Sequence, residues 1–402
     1  MARVLHTSDW HVGKAMRGRS RASEHRQVLA EIAGIAAAEA VDVVVVAGDL
    51  FETAAPSPES EEIVYRALLD LAATGATVVV VAGNHDNPGR LRAVAPLLEM
   101  GSVQVLTAAT RPDAGGVRTL ELRSGERLGV ALLPFVSQRG IVRVDALMAD
   151  AAYEHRQAYS DRLASLVALL CGALPADGPS LMVAHAFVQG GATGGGERRA
   201  HVIDDYSVSS QAFPATVGYV ALGHLHRAQA IAGATAIRYC GSPLQLDFGE
   251  TADVKGVNVV DLEAGVPARV RDVPLRAGCP LVTLTGTVEA IVAAAGSVDP
   301  QSWIRARVDE PRRVGLADEL RAGLGDLGER VVDVTVIDSA ASAAPSRAAA
   351  REGRAPRELF ADFLAERGEA DERLGRLFDE LHDEVVSASS ESDADAGSEA
   401  SP

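Results

Sequence analysis

The chain is 402 residues long, 47% hydrophobic, and carries a formal net charge of −17. That length predicts two or three folded units, and no uninterrupted apolar run is long enough to span a bilayer. Cys171, Cys240 and Cys279 are scattered and odd in number, which excludes a disulfide framework or a zinc knuckle. Met1 opens directly on a strand pattern, without the charged-then-apolar layout of a secretory signal, so cytoplasmic residence is expected.

Taken in chain order, Arg3–Thr7, Val41–Ala47 and Ala76–Ala82 read as buried strands, with helical spacing in Glu24–Ala40 and Glu59–Ala73 between them. The result is a β-α-β-α-β run, the signature of a layered α/β protein. Arg143–Leu174 is a further helical stretch ended by Pro175. Ser180–Ala184 and Val217–Leu222 read as two more strands, and Val254–Leu262 with Pro267–Leu275 as a strand pair turning at Gly265. Between them, Gly190–Gly196 is a Gly-rich loop without the strand-to-helix context or Gly-Lys-Ser/Thr ending of a phosphate-binding loop. A flap over a site and a simple connection are both open for it. From Cys279 to Asp338 a second pattern follows, with strands at Leu281–Thr285, Ser302–Val308 and Val331–Ile337 and helices at Val288–Ala295 and Leu316–Leu324. Residues 339–350 form an Ala/Ser linker. Beyond it, Leu359, Phe360, Phe363 and Leu364, then Leu374, Leu377, Phe378, Leu381 and Val385, make two apolar helical stripes broken at Gly368. Too short to bury both stripes alone, this pair packs either on the chain's own core or on a partner, and its place after a linker favours the partner. The acidic tail, residues 387–402, has the composition of a disordered segment.

Each of the first five strands ends in a polar cluster: Asp9-x-His11, Gly48-Asp49, Gly83-Asn84-His85-Asp86, His185, and Gly223-His224-Leu225-His226. Ligands gather beyond the carboxyl ends of strands in such folds. Any one of these clusters alone is a common turn; five in this placement supply ligands for two metal ions. Hydrolysis of a phosphate ester needs a hydroxide at neutral pH and positive charge over the phosphoryl oxygens, and a metal pair provides both. Carboxylates, imidazoles and one amide oxygen suit Mn²⁺, Fe²⁺ or Zn²⁺. Asp9 and His11, two apart on an extended segment, are expected to point to one side, and His224 and His226 repeat that spacing. Asp49 sits where a carboxylate can reach two ions. His85, next to Asn84, is a candidate proton donor to the leaving oxygen, with Asp86 as the carboxylate that orients it.

The order DxH, GD, GNH, lone His and GHxH resembles the calcineurin-like metallophosphoesterases. Ser8–Lys14, Ala47–Glu52, Gly223–His226 and Tyr239–Glu250 resemble in particular the branch of bacterial nuclease subunits that work with an SMC-type ATPase. The resemblance runs, with falling specificity, from Met1 to about Asp383. It implies a four-layer β-sandwich flanked by helices over residues 1–276, a small α+β capping domain over 277–338, and a helical segment at 351–386 that grips the ATPase. It also implies one metal on Asp9, His11, Asp49 and His226, and a second on Asp49, Asn84, His185 and His224. His85 would be the acid, the metals Mn²⁺, and the reaction 3′-to-5′ trimming of DNA ends with nicking of single strands and hairpins. The partners it implies are DNA, the ATPase, and a second copy of the chain within a heterotetramer.

The negative charge runs against DNA binding, which draws on Lys and Arg. Bound cations offset the carboxylates that hold them, part of the charge lies in the tail, and a partner can supply DNA-binding surface. Arg17, Arg19, Arg21, Arg198 and Arg199 are local basic groups that could face DNA, although such clusters are usually solvated loops. Two rivals remain. A phosphoesterase for small molecules or phosphoproteins would suit a chain ending near Leu275. A scaffold with structural metals would tolerate a missing ligand or a missing His85, and neither is missing.

Overall fold

The computed structural model describes residues 1–137, 159–194, 197 and 207–337, together with 360, 364, 373, 374 and 376–378. Two compact units divide the chain, Met1–Val336 and Ile337–Pro402.

In the first unit, β1 (Ala2–Thr7) leads to α1 (Ala22–Ala38), β2 (Val43–Val46), α2 (Pro58–Ala73), β3 (Thr77–Val81), α3 (Pro88–Glu99) and β4 (Val103–Leu106). The sequence explains these boundaries. β2 is four valines, all buried, as a strand covered on both faces requires. Helix α2 starts where Ser57 accepts from the Ser60 amide ahead of Pro58, and α3 where Asn87 accepts from the amides of Gly89 and Arg90. Next come β5 (Val117–Glu121), β6 (Arg127–Leu133), the helix Tyr159–Gly172, β7 (Ser180–His185), β8 (Phe187–Val188), β9 (Ser207–Val208) and β10 (Tyr219–Gly223). They are followed by β11 (Gln229–Ile231), β12 (Ala236–Tyr239), β13 (Gly256–Glu263) and β14 (Val266–Pro274).

Two six-stranded mixed sheets result, ordered β14-β13-β1-β2-β3-β4 and β11-β12-β10-β7-β6-β5. In the first, β1 to β4 are parallel out to the β4 edge and the antiparallel pair β13 and β14 forms the other side; in the second, the central four strands are parallel and antiparallel β11 and β5 close the edges. Alternation along the strands sorts the core. Val4, Val45 and Val79 of the first sheet pack between the sheets against Val130, Leu132, Val183 and Ala221 of the second. Leu5, Val44 and Val78 face the other way, onto Val28 and Ile32 of α1 and Val64 and Leu68 of α2. On the far side, Ala131, Met182 and Val220 meet Leu163, Leu166 and Leu170 of the helix Tyr159–Gly172. The order is helices, sheet, sheet, helix.

A third sheet, β15 (Leu281–Gly286), β16 (Trp303–Val308) and β17 (Val331–Val336), is wholly parallel. Its helices Val288–Ala295 and Leu316–Gly323 share with it a core of Ile291, Ile304, Ala306 and Leu320. A separate cluster of Met16, Phe248, Leu281 and Trp303 joins this sheet to the loops of the larger one. In the second unit, Phe360 and Phe378 stack with ring centroids 4.3 Å apart.

The structure adds α3, which runs through Pro96, the inner strand β6, and the shorter strands β4, β5, β8, β9, β11 and β12, for which the polar clusters gave no cue. The helix expected over Arg143–Leu174 appears as Tyr159–Gly172. Its first part, Arg198 and Arg199, the linker and the acidic tail lie outside the described residues. Arg21 is not a DNA-facing group: it is buried and paired with Glu24 at 2.7 Å. Among the described residues no helix is long and apolar enough to cross a membrane.

Candidate metal centre

The parallel strands of both sheets deliver their carboxyl ends to one place. The turns after β1 and β2 are laced together, with the amides of Asp9, His11 and Val12 donating to the carbonyls of Gly48, Asp49 and Leu50, each at 3.0 Å. Asp9 and His11 are therefore not on an extended segment, as their spacing suggested. Their φ angles are 52° and 46°, in the left-handed region. Of the seven described non-glycine residues with positive φ, four are Asp9, His11, Asp49 and His224. Strain concentrated in this way marks a functional site. The glycine of each motif makes room for it: a Cβ on Gly48 would stand 2.3 Å from Nδ1 of His185, and one on Gly83 2.1 Å from Oδ1 of Asp49.

Two clusters share Asp49, whose Oδ2 lies 3.5 Å from Nε2 of both His11 and His185. On one side, Nε2 of His11 and Nε2 of His226 are 3.1 Å apart, with Asp9 close enough to share a cation with them. On the other, Oδ1 of Asn84 lies 2.9 Å from Nε2 of His185 and 2.8 Å from Nδ1 of His224, and those two nitrogens are 3.3 Å apart. The spacing sets His11 with His226 and Asn84 with His185 and His224, while Asp9 lies within reach of both groups, its carboxylate also close to Asp49 and His185. Apart from the half-buried Asn84, every residue of both clusters is buried.

The outer nitrogens fix the tautomers. Nδ1 of His185 donates to the Ala47 carbonyl at 2.7 Å, so its Nε2 carries a lone pair toward Asn84 and Asp49. Nδ1 of His11 meets Glu52 at 2.9 Å and Nδ1 of His226 meets Glu250 at 3.2 Å. With both outer nitrogens protonated, two lone pairs would face each other across 3.1 Å. A cation between them turns that repulsion into ligation, and carboxylate-backed imidazoles are the usual metal-binding arrangement. Ligands about 2.0–2.2 Å from one ion stand roughly 3 Å from each other, so the donor set fits a metal pair.

The acid groups agree. Burial, with the nearby charge of Asp49, pushes the Asp9 carboxyl up to about 8 despite His226, Ser8 and the His224 amide, a penalty that a bound cation would remove. Asp49, equally buried, is held well below the usual carboxylate range because His185, His11 and His85 surround it. Burial alone would raise Glu52 and Glu250, but His11 with Lys14, and His226 with Lys255, hold each at about 2.

His85 sits beside this pair, its ring 4.6 Å from that of His11. Its Nδ1 donates to the Glu52 carbonyl at 2.7 Å. Asp86 does not take the orienting role expected of it. Its carboxylate instead accepts from the amides of Gly83 at 2.8 Å and Phe51 at 3.1 Å, tying the third motif to the second. Glu52 and Glu250 both lie inside motif strings but carry no chemistry that spacing could reveal. Only the fold shows that they back His11 and His226.

Residues 2–228 match the calcineurin-like phosphoesterase family. With that match, this fold and these clusters, the chain belongs to that family of metal-dependent hydrolases. Over 326 residues it is 35% identical to the SbcD subunit of the nuclease SbcCD from Bacillus subtilis, covering 79% of this chain and 80% of that one. The SbcD subunits of Rhodobacter capsulatus and Escherichia coli K12 are 34% and 30% identical, over 86% and 75% of this chain and 86% and 76% of theirs.

Proposed function

We propose that this protein is the nuclease subunit of an SbcCD-type complex and hydrolyses DNA phosphodiesters at a two-metal centre. The carrying observation is the pair of buried clusters joined by Asp49, with His85 alongside. One metal would be held by Asp9, His11, Asp49 and His226, the other by Asp49, Asn84, His185 and His224; Mn²⁺ suits this oxygen and nitrogen set. Held there, the ions would supply positive charge over the phosphoryl oxygens and an acidified water. Asp49, 3.5 Å from both His11 and His185, would be the residue the two positions share. His85, anchored through Nδ1 on the Glu52 carbonyl, presents Nε2 to the departing 3′ oxygen as proton donor, releasing 5′-phosphorylated nucleotides. Likeness to the SbcD proteins supports DNA as substrate: 3′-to-5′ trimming of duplex ends and nicking of single strands and hairpins. On the same ground, the third sheet serves as a cap beside the site. Residues 351–386 dock on an SbcC-like SMC-type ATPase, and two copies of the chain meet in a heterotetramer.

The test is cleavage of end-labelled linear duplex DNA with Mn²⁺ by wild type, His85→Ala and Asp49→Ala, with a chromogenic phosphodiester as control. Loss of DNA cleavage in both folded variants supports the reading. Ester hydrolysis without DNA cleavage, even with an SMC-type ATPase added, would leave a phosphoesterase of small molecules or phosphoproteins.

A further inference from the structure

The segment between Cys240 and Lys255 has two different neighbours. At one end, Glu250 is fully buried and meets Nδ1 of His226 through Oε1 at 3.2 Å; its Oε2 accepts from the Leu246 amide at 2.9 Å and pairs with Lys255 at 2.8 Å. Lys255 also donates to the His226 carbonyl at 2.9 Å. Glu250 thus grips His226 by its ring, while its ion-pair partner holds the backbone of the same residue.

Leu244 and Leu246 pack into the core of the first large sheet, while Gln245 and Phe248 fasten the segment to the third sheet. Phe248 packs with Met16, Leu281 and Trp303, and the Arg305 guanidinium lies 4.8 Å from its ring centroid. Oε1 of Gln245 accepts from the Leu281 amide at 2.8 Å, and its carbonyl accepts from Arg21. Arg21 is paired with Glu24, which also accepts from Nε1 of Trp303 at 2.8 Å and from the Cys279 amide at 2.9 Å. The loop after His11 takes part as well, through Met16 in the apolar cluster and Arg17 beside Asp333. The chain segments behind His11 and His226 therefore both rest on the third sheet. The other half of the site is braced by the large sheets: His185 on the Ala47 carbonyl, and His224 stacked on Phe135, whose amide donates to the Ala82 carbonyl.

We propose that Glu250 is a positioning residue for His226, held in place by the third sheet through Phe248 and Gln245. The His11–His226 position then depends on that sheet for its cation affinity, and the Asn84–His185–His224 position does not. The inference rests on the two-metal reading above. Its physical basis is directional: a ligand imidazole binds well only if its ring is aimed, and the group that aims it governs affinity. Here that group is borne on a segment that packs partly on the first large sheet, through Leu244 and Leu246, and partly on the separately packed third sheet, through Phe248 and Gln245.

The test is Mn²⁺ titration of the full chain, followed calorimetrically and by electron paramagnetic resonance, with melting curves as a folding control. His226→Ala and His185→Ala first assign the two binding events. Glu250→Ala is expected to weaken the His226 event by roughly 10–100-fold and to leave the His185 event unchanged. Trp303→Phe, which loses the bond to Glu24 with part of the buried ring, and Arg305→Ala weaken the same event by a smaller factor; they carry the test if Glu250→Ala does not fold. Equal weakening of both events, or of neither in folded variants, would overturn the inference. If His226→Ala and His185→Ala both titrate like wild type, the metal assignment beneath it fails instead.

Discussion

Nε2 of His11 and Nε2 of His226 approach to 3.1 Å across 215 residues of sequence, each ring backed by a buried or half-buried glutamate. Two imidazoles so placed gain from a cation between them, and that gain is folding free energy, because the unfolded chain has no such site. Mn²⁺ at about 100-fold over its dissociation constant should add about 2.7 kcal/mol, which raises the melting temperature by roughly 4 °C for a unit the size of Met1–Val336. Scanning calorimetry with and without chelator measures it, and His226→Ala should lose much of the increment.

Two further buried histidines, His6 and His25, lie outside these clusters. His6 lies between the Tyr219 hydroxyl at 2.9 Å and the Leu222 carbonyl at 3.1 Å, and burial lowers it to about 3. Burial, with the charge of Arg21, lowers His25 in α1 to about 4. In the unfolded chain both titrate near 6.5. A base whose folded pKa is depressed takes up its proton first in the unfolded state, so stability falls as pH drops below about 6.5 and continues to fall toward the folded values. Chelator-treated protein should lose about 2 kcal/mol for each histidine between pH 7.5 and 5. Urea midpoints at the two pH values check this, and His6→Asn should reduce the loss.

Gly48 meets two demands at once: its φ is +92°, and a Cβ there would stand 2.3 Å from Nδ1 of His185. Gly75 has a similar φ of +86° with nothing within 4 Å. Gly75→Ala should therefore cost only the backbone term, about 1 kcal/mol. Gly48→Ala should cost at least about 2 kcal/mol more and abolish hydrolysis by displacing His185. Equal losses in denaturation and equal turnover of a chromogenic ester would contradict the steric account.

The stacked pair Phe360 and Phe378 joins the two apolar stripes of the second unit. Such a pair is worth about 0.5–1.5 kcal/mol beyond its buried area. Phe378→Ala should weaken binding of the SMC-type ATPase by about tenfold while Mn²⁺-dependent ester hydrolysis by the isolated chain is unchanged. Fluorescence anisotropy with the labelled ATPase gives the affinity. An unchanged affinity would remove this segment as the docking element.

Much of the site was legible because strand ends and ligands are local features. The valine runs at Val43–Val46 and Thr77–Val81 announce buried strands, and Asp49 and Asn84 follow them within a few residues. The third sheet was legible for the same reason, its strands alternating with amphipathic helices. Other parts were not. Asp86 looked like a partner for its neighbour His85, yet its carboxylate turns to the Gly83 and Phe51 amides, because the motif bends back on itself. Arg21 looked like a surface base beside Arg19, but α1 begins there and buries it against Glu24.

The sequence by itself determined which side chains stand at the strand ends, since hydrophobic periodicity and the glycine before a ligand are written within a few residues. Tertiary structure alone decided which ends meet. The parallel register of Leu222 and Gly223 beside Ala184 and His185 brings His224 to His185. Packing of the two sheets through Val4, Val45 and Val183 brings His226 to His11. The glutamates that aim these rings come from turns whose direction is set by distant contacts, and no local pattern of residues encodes a distance between segments far apart in the chain.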